Sequence, residues 1–477
     1  MTEVVLKRRQ FLTGLAAAPL TPGWARAQAR PPGGRPRAIG GAKQLFVDDL
    51  LTASRREVEL VMNPPRKTGE RSLVAEHPWE DFYAGGWNTI LEDQGAYRMW
   101  YEASTTEAGR HLQMLALATS RDGVHWEKGK LGVVEFRGSK DNNLVLTDTV
   151  GTVFRDPKSA DGNPLKFAAR KKTGLWIFTS PDGVRWQPLR DGPVLSKGHF
   201  DTQNQVFWDD RLGKYVGYVR RWGPLRKVGR SETADLLSWP EPEIVFSYDD
   251  KDPVESDHYN ACVIKYPFAP DVYFMFPSAY YHFPGKKNDG PLDIQLATSR
   301  DGIRWDRRFR EPYVRLGLDG SFDCGSIYMT VGMLRQGPEV WMYYTGYDFT
   351  HGAYDLSRTK HKGVVSRLIQ RLDGFVSADA AYGGGELTTV PLSFDGARLE
   401  LNVDTGALGS VRVELLDGDG RVLPGRSAGE CDPIIVNSIA RQVRWKGSPD
   451  VGSLSGRPVS LRFVMRSAKL YAFQFVR

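Results

Sequence analysis

Ser120-Arg121-Asp122-Gly123-Val124-His125-Trp126 recurs as Ser180-Pro181-Asp182-Gly183-Val184-Arg185-Trp186 and as Ser299-Arg300-Asp301-Gly302-Ile303-Arg304-Trp305. A degenerate copy reads Thr233-Ala234-Asp235-Leu236-Leu237-Ser238-Trp239. The first residues of the four copies, 120, 180, 233 and 299, are 60, 53 and 66 positions apart. A period of this size marks a repeat architecture. The residue types belong to a turn: Ser and Asp side chains bond backbone groups, Gly accepts positive φ, and Trp packs beneath. A strand-like run precedes each close copy, at Met114–Thr119, Leu175–Thr179 and Ile294–Thr298. Each copy is therefore predicted to be a hairpin turn on an outer strand. Asp122, Asp182 and Asp301 read as turn residues, not catalytic ones.

A second repeat runs in register with the first. Strand-like segments begin near Trp87–Leu91, Thr152–Phe154, Gln205–Trp208, Ala261–Ile264 and Ser326–Met329. Each is followed by a turn and a second strand, such as Tyr215–Val219 or Val340–Tyr344. Ahead of each first strand stands an aspartate: Asp81, Asp148, Asp201, Asp257 and Asp323. Five units of about 60 residues, each with about four short strands, predict an all-β fold, a five-bladed β-propeller over residues 43–371. A pair of large β-sandwiches is the alternative. Gln44–Val47 is expected to pair with the last blade and close the ring, which removes sheet edges. After Leu372, Asp373-Gly374 and Gly383-Gly384-Gly385 mark a boundary. Period-two alternation in Arg398–Val403, Ser410–Leu416, Val459–Val464 and Lys469–Phe475 then predicts a C-terminal β-sandwich over residues 372–477.

The first residues differ in character. Lys7-Arg8-Arg9-Gln10-Phe11-Leu12 precedes the apolar Leu15–Leu20 and ends at Ala27-Gln28-Ala29. Positive region, apolar region and small-residue site together predict a bacterial signal peptide over residues 1–29. The Arg-Arg-x-Phe-Leu pattern fits the twin-arginine type, so a periplasmic or extracellular location is expected. Residues 30–42, opening Arg30-Pro31-Pro32-Gly33-Gly34-Arg35-Pro36, read as a flexible linker.

Composition bounds the function. With 41% hydrophobic and 25% charged residues, wholesale disorder is excluded. The formal charge is +7; beyond residue 29 it is +4, from 60 basic and 56 acidic residues. These charges are scattered, which argues against a nucleic-acid or membrane-surface partner. No run of 18 apolar residues predicts a membrane span. Cys262, Cys324 and Cys431 give neither a disulfide framework nor zinc-ligand spacing. No cofactor or metal is expected, with a structural cation held by the aspartates as the open alternative.

In a propeller the innermost strands meet at a central pit, so the five aspartates would ring one mouth. Crowded carboxylates repel, which raises some pKa values and separates acid from base roles. Glycoside cleavage needs that split: one carboxylic acid protonates the leaving oxygen and another carboxylate attacks or activates water. Nearby aromatics, Trp87 and Tyr259 among them, would stack on sugar faces. His258, Asn204 and Asn260 stand beside the carboxylates and would bond substrate hydroxyls. The alternative for all of these is a structural role at the start of a strand, repeated by duplication.

The ring, the Ser-x-Asp-Gly-x-x-Trp turn, the Asp-headed first strands and the trailing sandwich resemble glycoside hydrolase family 32, which shares its propeller with families 43, 62 and 68. The resemblance covers roughly residues 43–477. It implies a glycosidase acting on furanosides or plant-type oligo- and polysaccharides. Phe200–Trp208 is similar to the family's Arg-Asp-Pro segment, so Asp201 would steady the transition state. The literal Arg155-Asp156-Pro157 aligns instead with Asp209-Asp210-Arg211, a turn after the first strand. Val254–Asn260 matches the acid/base stretch, which makes Glu255 or Asp257 the acid. The nucleophile motif Trp-x-Asn-Asp-Pro-x-Gly is represented only by Met62-Asn63-Pro64-Pro65, so Asp81 or Asp148 would substitute; Asp323 completes the carboxylate set. A non-catalytic carbohydrate-binding propeller and a different hydrolase or lyase on the same ring are the competing readings.

Overall fold

The computed structural model describes residues 35–477 except 287, 354, 356 and 357. The signal-peptide reading of residues 1–29 and the first part of the linker fall outside the described residues. Regular structure among the described residues is all strand, apart from two single-turn 3-10 helices at Pro78–Glu80 and Gly452–Leu454.

Between residues 83 and 371 the chain forms five successive antiparallel units. The first runs Thr89–Asp93, Ala96–Glu107, Arg110–Ser120 and Leu144–Leu146. The second runs Val150–Arg155, Leu165–Lys171, Gly174–Ser180 and Gln187–Pro188. The third runs Gln205–Asp209, Lys214–Trp222, Arg226–Thr233 and Glu243–Phe246. The fourth is split: Ser256–His258, Ser278–Tyr281 and Leu292–Ile294 pair in one ladder, and Val263–Lys265, Tyr273–Met275 and Ala297–Ser299 in another. Pro277, which has no N–H for a ladder, sits at the break. The fifth runs Ser326–Met329, Glu339–Tyr347 and Val364–Arg371.

The repeated motif joins the third strand of a unit to its fourth. Ser180 Oγ accepts from the Gly183 N–H at 2.8 Å, and Asp182 Oδ1 accepts from Val184 and Arg185 N–H at 2.8 Å each. The same set forms at Ser120 and Asp122, and at Ser299 and Asp301. The three glycines have φ of 72–76°, and Leu236 holds 63° in the degenerate copy. Each glycine carbonyl also accepts from an aromatic side chain of another unit. Trp100 Nε1 donates to Gly183 at 2.8 Å and Tyr218 Oη to Gly302 at 2.7 Å. Tyr343 Oη donates to Gly123, which links the fifth unit to the first.

The fifth unit takes its outer strands from the N-terminal region: Lys67 pairs with Leu368 and Leu73 with Val365. This corrects the expectation for Gln44–Val47, because Gln44 and Leu45 pair with Phe473 and Ala472. Val58–Met62 pairs with Val376–Ala380, and Thr52–Arg56 with Gly385–Thr389. So the chain between 44 and 62 belongs with the C-terminal strands, not with the units. Within the expected linker, 30–42, the reading is corrected for residues 37–40. Arg37–Gly40 is a strand running parallel to Leu392–Phe394, because Ile39 has a place in the C-terminal core.

The C-terminal strands form two sheets over one apolar core. One sheet orders Asn437–Gln442, Arg398–Asp404, Ala468–Val476, Val376–Ala380 and Val58–Met62. The other orders Thr52–Arg56, Gly385–Thr389, Ser460–Arg466 and Ser410–Leu416. Phe46, Leu401, Val413, Trp445 and Phe463 fill the space between them. The junction with the units is apolar and bonded. Phe375 stacks on Phe274 with ring centres 4.1 Å apart. Asp373 is buried, pairs with Lys43 at 2.7 Å and accepts from Tyr266 Oη at 2.9 Å.

Candidate functional site

A cleft of about 330 Å³ takes its lining from all five units. The first supplies Phe82, Tyr83, Gly86, Trp87, Glu102, His111 and Gln113; the second supplies Arg170. Asp201 comes from the third and Tyr259 from the fourth. The fifth adds Ser326, Tyr328, Tyr347, Phe349 and His351. A second groove, holding Asp148, Thr149, Lys172, His199 and Phe200, shares His111, Gln113, Arg170 and Asp201 with it.

Glu102 lies in the long second strand of the first unit, within the run Met99-Trp100-Tyr101-Glu102-Ala103 whose every residue is buried. Gly85-Gly86 carries the chain over it at φ of 94° and 115°. A Cβ on Gly86 would stand 2.6 Å from Glu102 Oε2, so only glycine lets the backbone come that close. Glu102 Oε1 accepts from Gln113 Nε2 at 2.6 Å and from Tyr83 Oη at 2.8 Å. Gln113 pairs with Ser104 in the ladder, one diagonal step from Glu102, within reach for a long side chain. Burial outweighs these bonds and the Arg170 charge and raises the Glu102 pKa to about 7. Glu102 is therefore a carboxylic acid able to hold and release a proton near neutrality.

Around it stand two neutral histidines. His111 Nε2 bonds Ser104 Oγ, and burial together with Arg170 lowers the pKa of its ring. His351 Nδ1 bonds Tyr328 Oη at 2.9 Å, and its ring lies 4.4 Å from that of Tyr259. Burial, helped by the charges of Arg226 and Arg220, pushes His351 down to about 3. Asp201 is the exposed carboxylate of the cleft, paired at 2.7 Å with the buried guanidinium of Arg220. Arg220 in turn lies 4.6 Å from the Tyr259 ring centre. One proton-holding acid, one ion-paired carboxylate and seven Phe, Tyr and Trp rings thus face a common space.

The structure does not gather the five aspartates at one mouth. Asp201, Trp87 and Tyr259 line the cleft and Asp148 the adjoining groove. Asp81 is exposed beyond the lining, where Thr105 Oγ1 donates to it. Glu255 is exposed at φ 60°, away from the cleft. Asp257 is buried against Arg226 at 3.0 Å and His282 at 3.3 Å. Asp323 is buried too; Lys67 at 2.7 Å, with Ser321 and Tyr344, holds its carboxyl below the usual range against the effect of burial. Both charges are spent inside the protein.

The polar neighbours also turn inward. Asn204 Nδ2 donates to the Phe200 and Thr202 carbonyls, and Asn260 Oδ1 accepts from Thr202 Oγ1 at 2.9 Å. His258 packs edge-on to Phe246 at 4.8 Å, and burial beside Arg307 lowers it to about 3. Asp156 is a turn residue as read, accepting from the Lys158 N–H at 2.9 Å and from Tyr215 Oη at 2.9 Å. A raised pKa does not by itself mark the site: burial lifts Asp293 to about 7 as well, beside Tyr281 and outside the cleft.

Sequence reasoning missed Glu102, His111, Gln113, Arg170 and His351. For Glu102 a signal existed: a lone carboxyl inside an apolar strand must be neutral or paired. Among the described residues no cluster of His, Cys, Asp and Glu has the arrangement of a metal site.

No known family profile matches the chain. Over 106 residues it is 35% identical to the uncharacterized protein MT1551 of Mycobacterium tuberculosis, covering 21% of this chain and 32% of that protein. Over 253 residues it is 26% identical to the A type blood N-acetyl-alpha-D-galactosamine deacetylase of Flavonifractor plautii, covering 51% of this chain and 27% of that protein. The matches thus span a third or less of the length of these curated relatives. Among solved structures, a glycoside hydrolase superposes with a TM-score of 0.45 at 15% identity, over 65% of this chain and 93% of that one. The N-acetylgalactosamine deacetylase from F. plautii, in complex with blood group B trisaccharide, gives 0.43 at 15% identity, over 71% and 96%.

Proposed function

We propose that the five units are the blades of a β-propeller followed by a β-sandwich, and that the chain is an exported bacterial carbohydrate-active enzyme, a glycoside hydrolase. Glu102 is its proton donor and Asp201 its second carboxylate. The turn contacts that join the first unit to the second, the third to the fourth and the fifth to the first support the ring. A cleft lined from every unit is what the mouth of such a ring provides. The observation that carries the activity is the buried Glu102, raised to about 7, in an aromatic cleft that also holds an ion-paired carboxylate. Such a separation of two carboxyl environments is what acid-assisted glycoside cleavage uses. The residues at 1–29 support export.

A second reading follows from the 26% identity to the F. plautii deacetylase: the same cleft would hold an N-acetylated sugar and release acetate. Purified protein incubated with a glycan panel, assayed for both reducing ends and acetate, separates the two. The panel includes sucrose, inulin, levan, arabinan, xylan and N-acetylated host-type glycans. Reducing ends that disappear in Glu102→Gln and Asp201→Asn establish the hydrolase. Acetate without reducing ends establishes the deacetylase. Saccharide binding with neither product establishes a binding propeller instead.

A further inference from the structure

We infer that the cleft selects a sugar bearing a carboxylate, a uronic acid, and that Arg170 is the residue that reads it. This inference rests on the carbohydrate reading of the cleft and deepens it. Arg170 lies at the seam between the cleft and the groove beside it and lines both. Its guanidinium donates to Gln113 Oε1 at 2.9 Å. Among the described residues no carboxylate stands within ion-pair distance of it. The two arginines that lie against the cleft's Tyr259 are matched: Arg220 with Asp201 and Arg226 with Asp257.

The charges facing Arg170 do not balance it. Glu102, on the far side of Gln113, is protonated below about pH 7, and His111 is a neutral ring. Asp201 is committed to Arg220. Lys171 and Lys172 follow Arg170 in the chain and add positive charge to the groove, against Asp148. A partly buried, unmatched guanidinium presents a planar fork of donors that fits a carboxylate in two parallel bonds. A neutral sugar hydroxyl leaves that charge uncompensated.

The test is calorimetric binding at low salt of trigalacturonate and of a glucuronic-acid-bearing xylo-oligosaccharide, each against its methyl ester. The ester keeps every ring and hydroxyl and removes only the charge. The wild type is expected to bind at least one acid about ten-fold or more tighter than its ester. Arg170→Gln is expected to erase that preference, and Arg170→Lys to keep part of it. If Arg170 only orients Gln113, the Gln variant weakens acid and ester alike and the preference survives, which overturns the inference. Equal binding of acid and ester by the wild type overturns it, as does failure of every acid to bind. Tighter binding of a 6-sulfated galactoside than of either uronate overturns the carboxylate assignment. The two readings fail separately. Glu102-dependent hydrolysis of a neutral glycan without acid preference leaves the hydrolase standing alone. Arg170-dependent acid binding without any hydrolysis leaves the recognition standing alone.

Discussion

Glu102 is a carboxyl placed where solvent cannot stabilise its charge, and its proton is therefore tied to both turnover and stability. As the acid of the proposed reaction it must be protonated, so turnover should fall as pH rises through about 7. The same group stabilises the fold fully below its ordinary value of 4.5, and that contribution is lost as pH rises to about 7. Over that window the loss is on the order of 3 kcal/mol. Glu102→Gln should abolish turnover and also flatten this part of the stability profile, read as urea midpoints at about pH 5 and about pH 8. A variant whose midpoint falls across the window as steeply as the wild type would remove Glu102 as the titrating group. Gly86→Ala tests the same centre from the backbone side. Its Cβ would meet Glu102 Oε2 at 2.6 Å and strain a φ of 115°, so turnover should drop at least about ten-fold by misplacing the acid. The sequence showed which residues begin the strands but not how deep they lie. Asp257 and Asp323 were placed at the mouth by spacing alone, and the spacing holds no record of Arg226 or Lys67.

At the scale of the element, the turn motif was legible because its chemistry is local: a Ser, an Asp and a Gly within four residues close their own hydrogen bonds. What the turns dock against was not legible, because it depends on register between units. Tyr97 pairs with Ser120, and Trp100 stands three residues on; Tyr215 pairs with Thr233, and Tyr218 stands three residues on. In the second unit Leu165 pairs with Ser180, which puts Ala168 at that place. Alanine has no donor, and the turn of the next unit is the degenerate copy with Leu236 for glycine. In the fourth unit Tyr273 pairs with Ser299, which puts Phe276 there, and the fifth unit carries no motif. The glycine and the donor come and go together. Asp182→Ala, which strips the bonds to two N–H groups, should cost about 1–2 kcal/mol. Gly183→Ala, whose Cβ would stand 2.5 Å from Trp100 Cζ2, should cost more than about 1 kcal/mol. Neither should change turnover at a temperature where the variants are folded. Loss of activity from folded Asp182→Ala would mean that the motif does more than build a turn.

For the whole molecule, the sequence carries a change of pattern near residue 372, but not which strands share a core across it. Leu45, Met62, Phe375 and Ala472 share one core with Tyr266, Phe274, Ile327 and Tyr344 of the fourth and fifth units. The chain also crosses between the two parts twice: once between Val58–Met62 and Arg66–Lys67, and once between Val364–Arg371 and Val376–Ala380. Short strands such as Gln44–Leu45 are too brief to announce their partner, since two residues carry almost no periodicity. Two bodies joined by two crossings and a common apolar seam should unfold as one. Urea unfolding followed by tryptophan fluorescence and by far-ultraviolet dichroism should give coincident single transitions. Phe375→Ala removes a fully buried ring that stacks on Phe274 at 4.1 Å and meets Tyr266 at 5.5 Å. It should cost about 3–5 kcal/mol and move both signals together. If instead the variant shows two separate transitions, only one of them displaced, then the seam does not couple the parts. The C-terminal sheets would then be an independent module attached to the units by the chain alone.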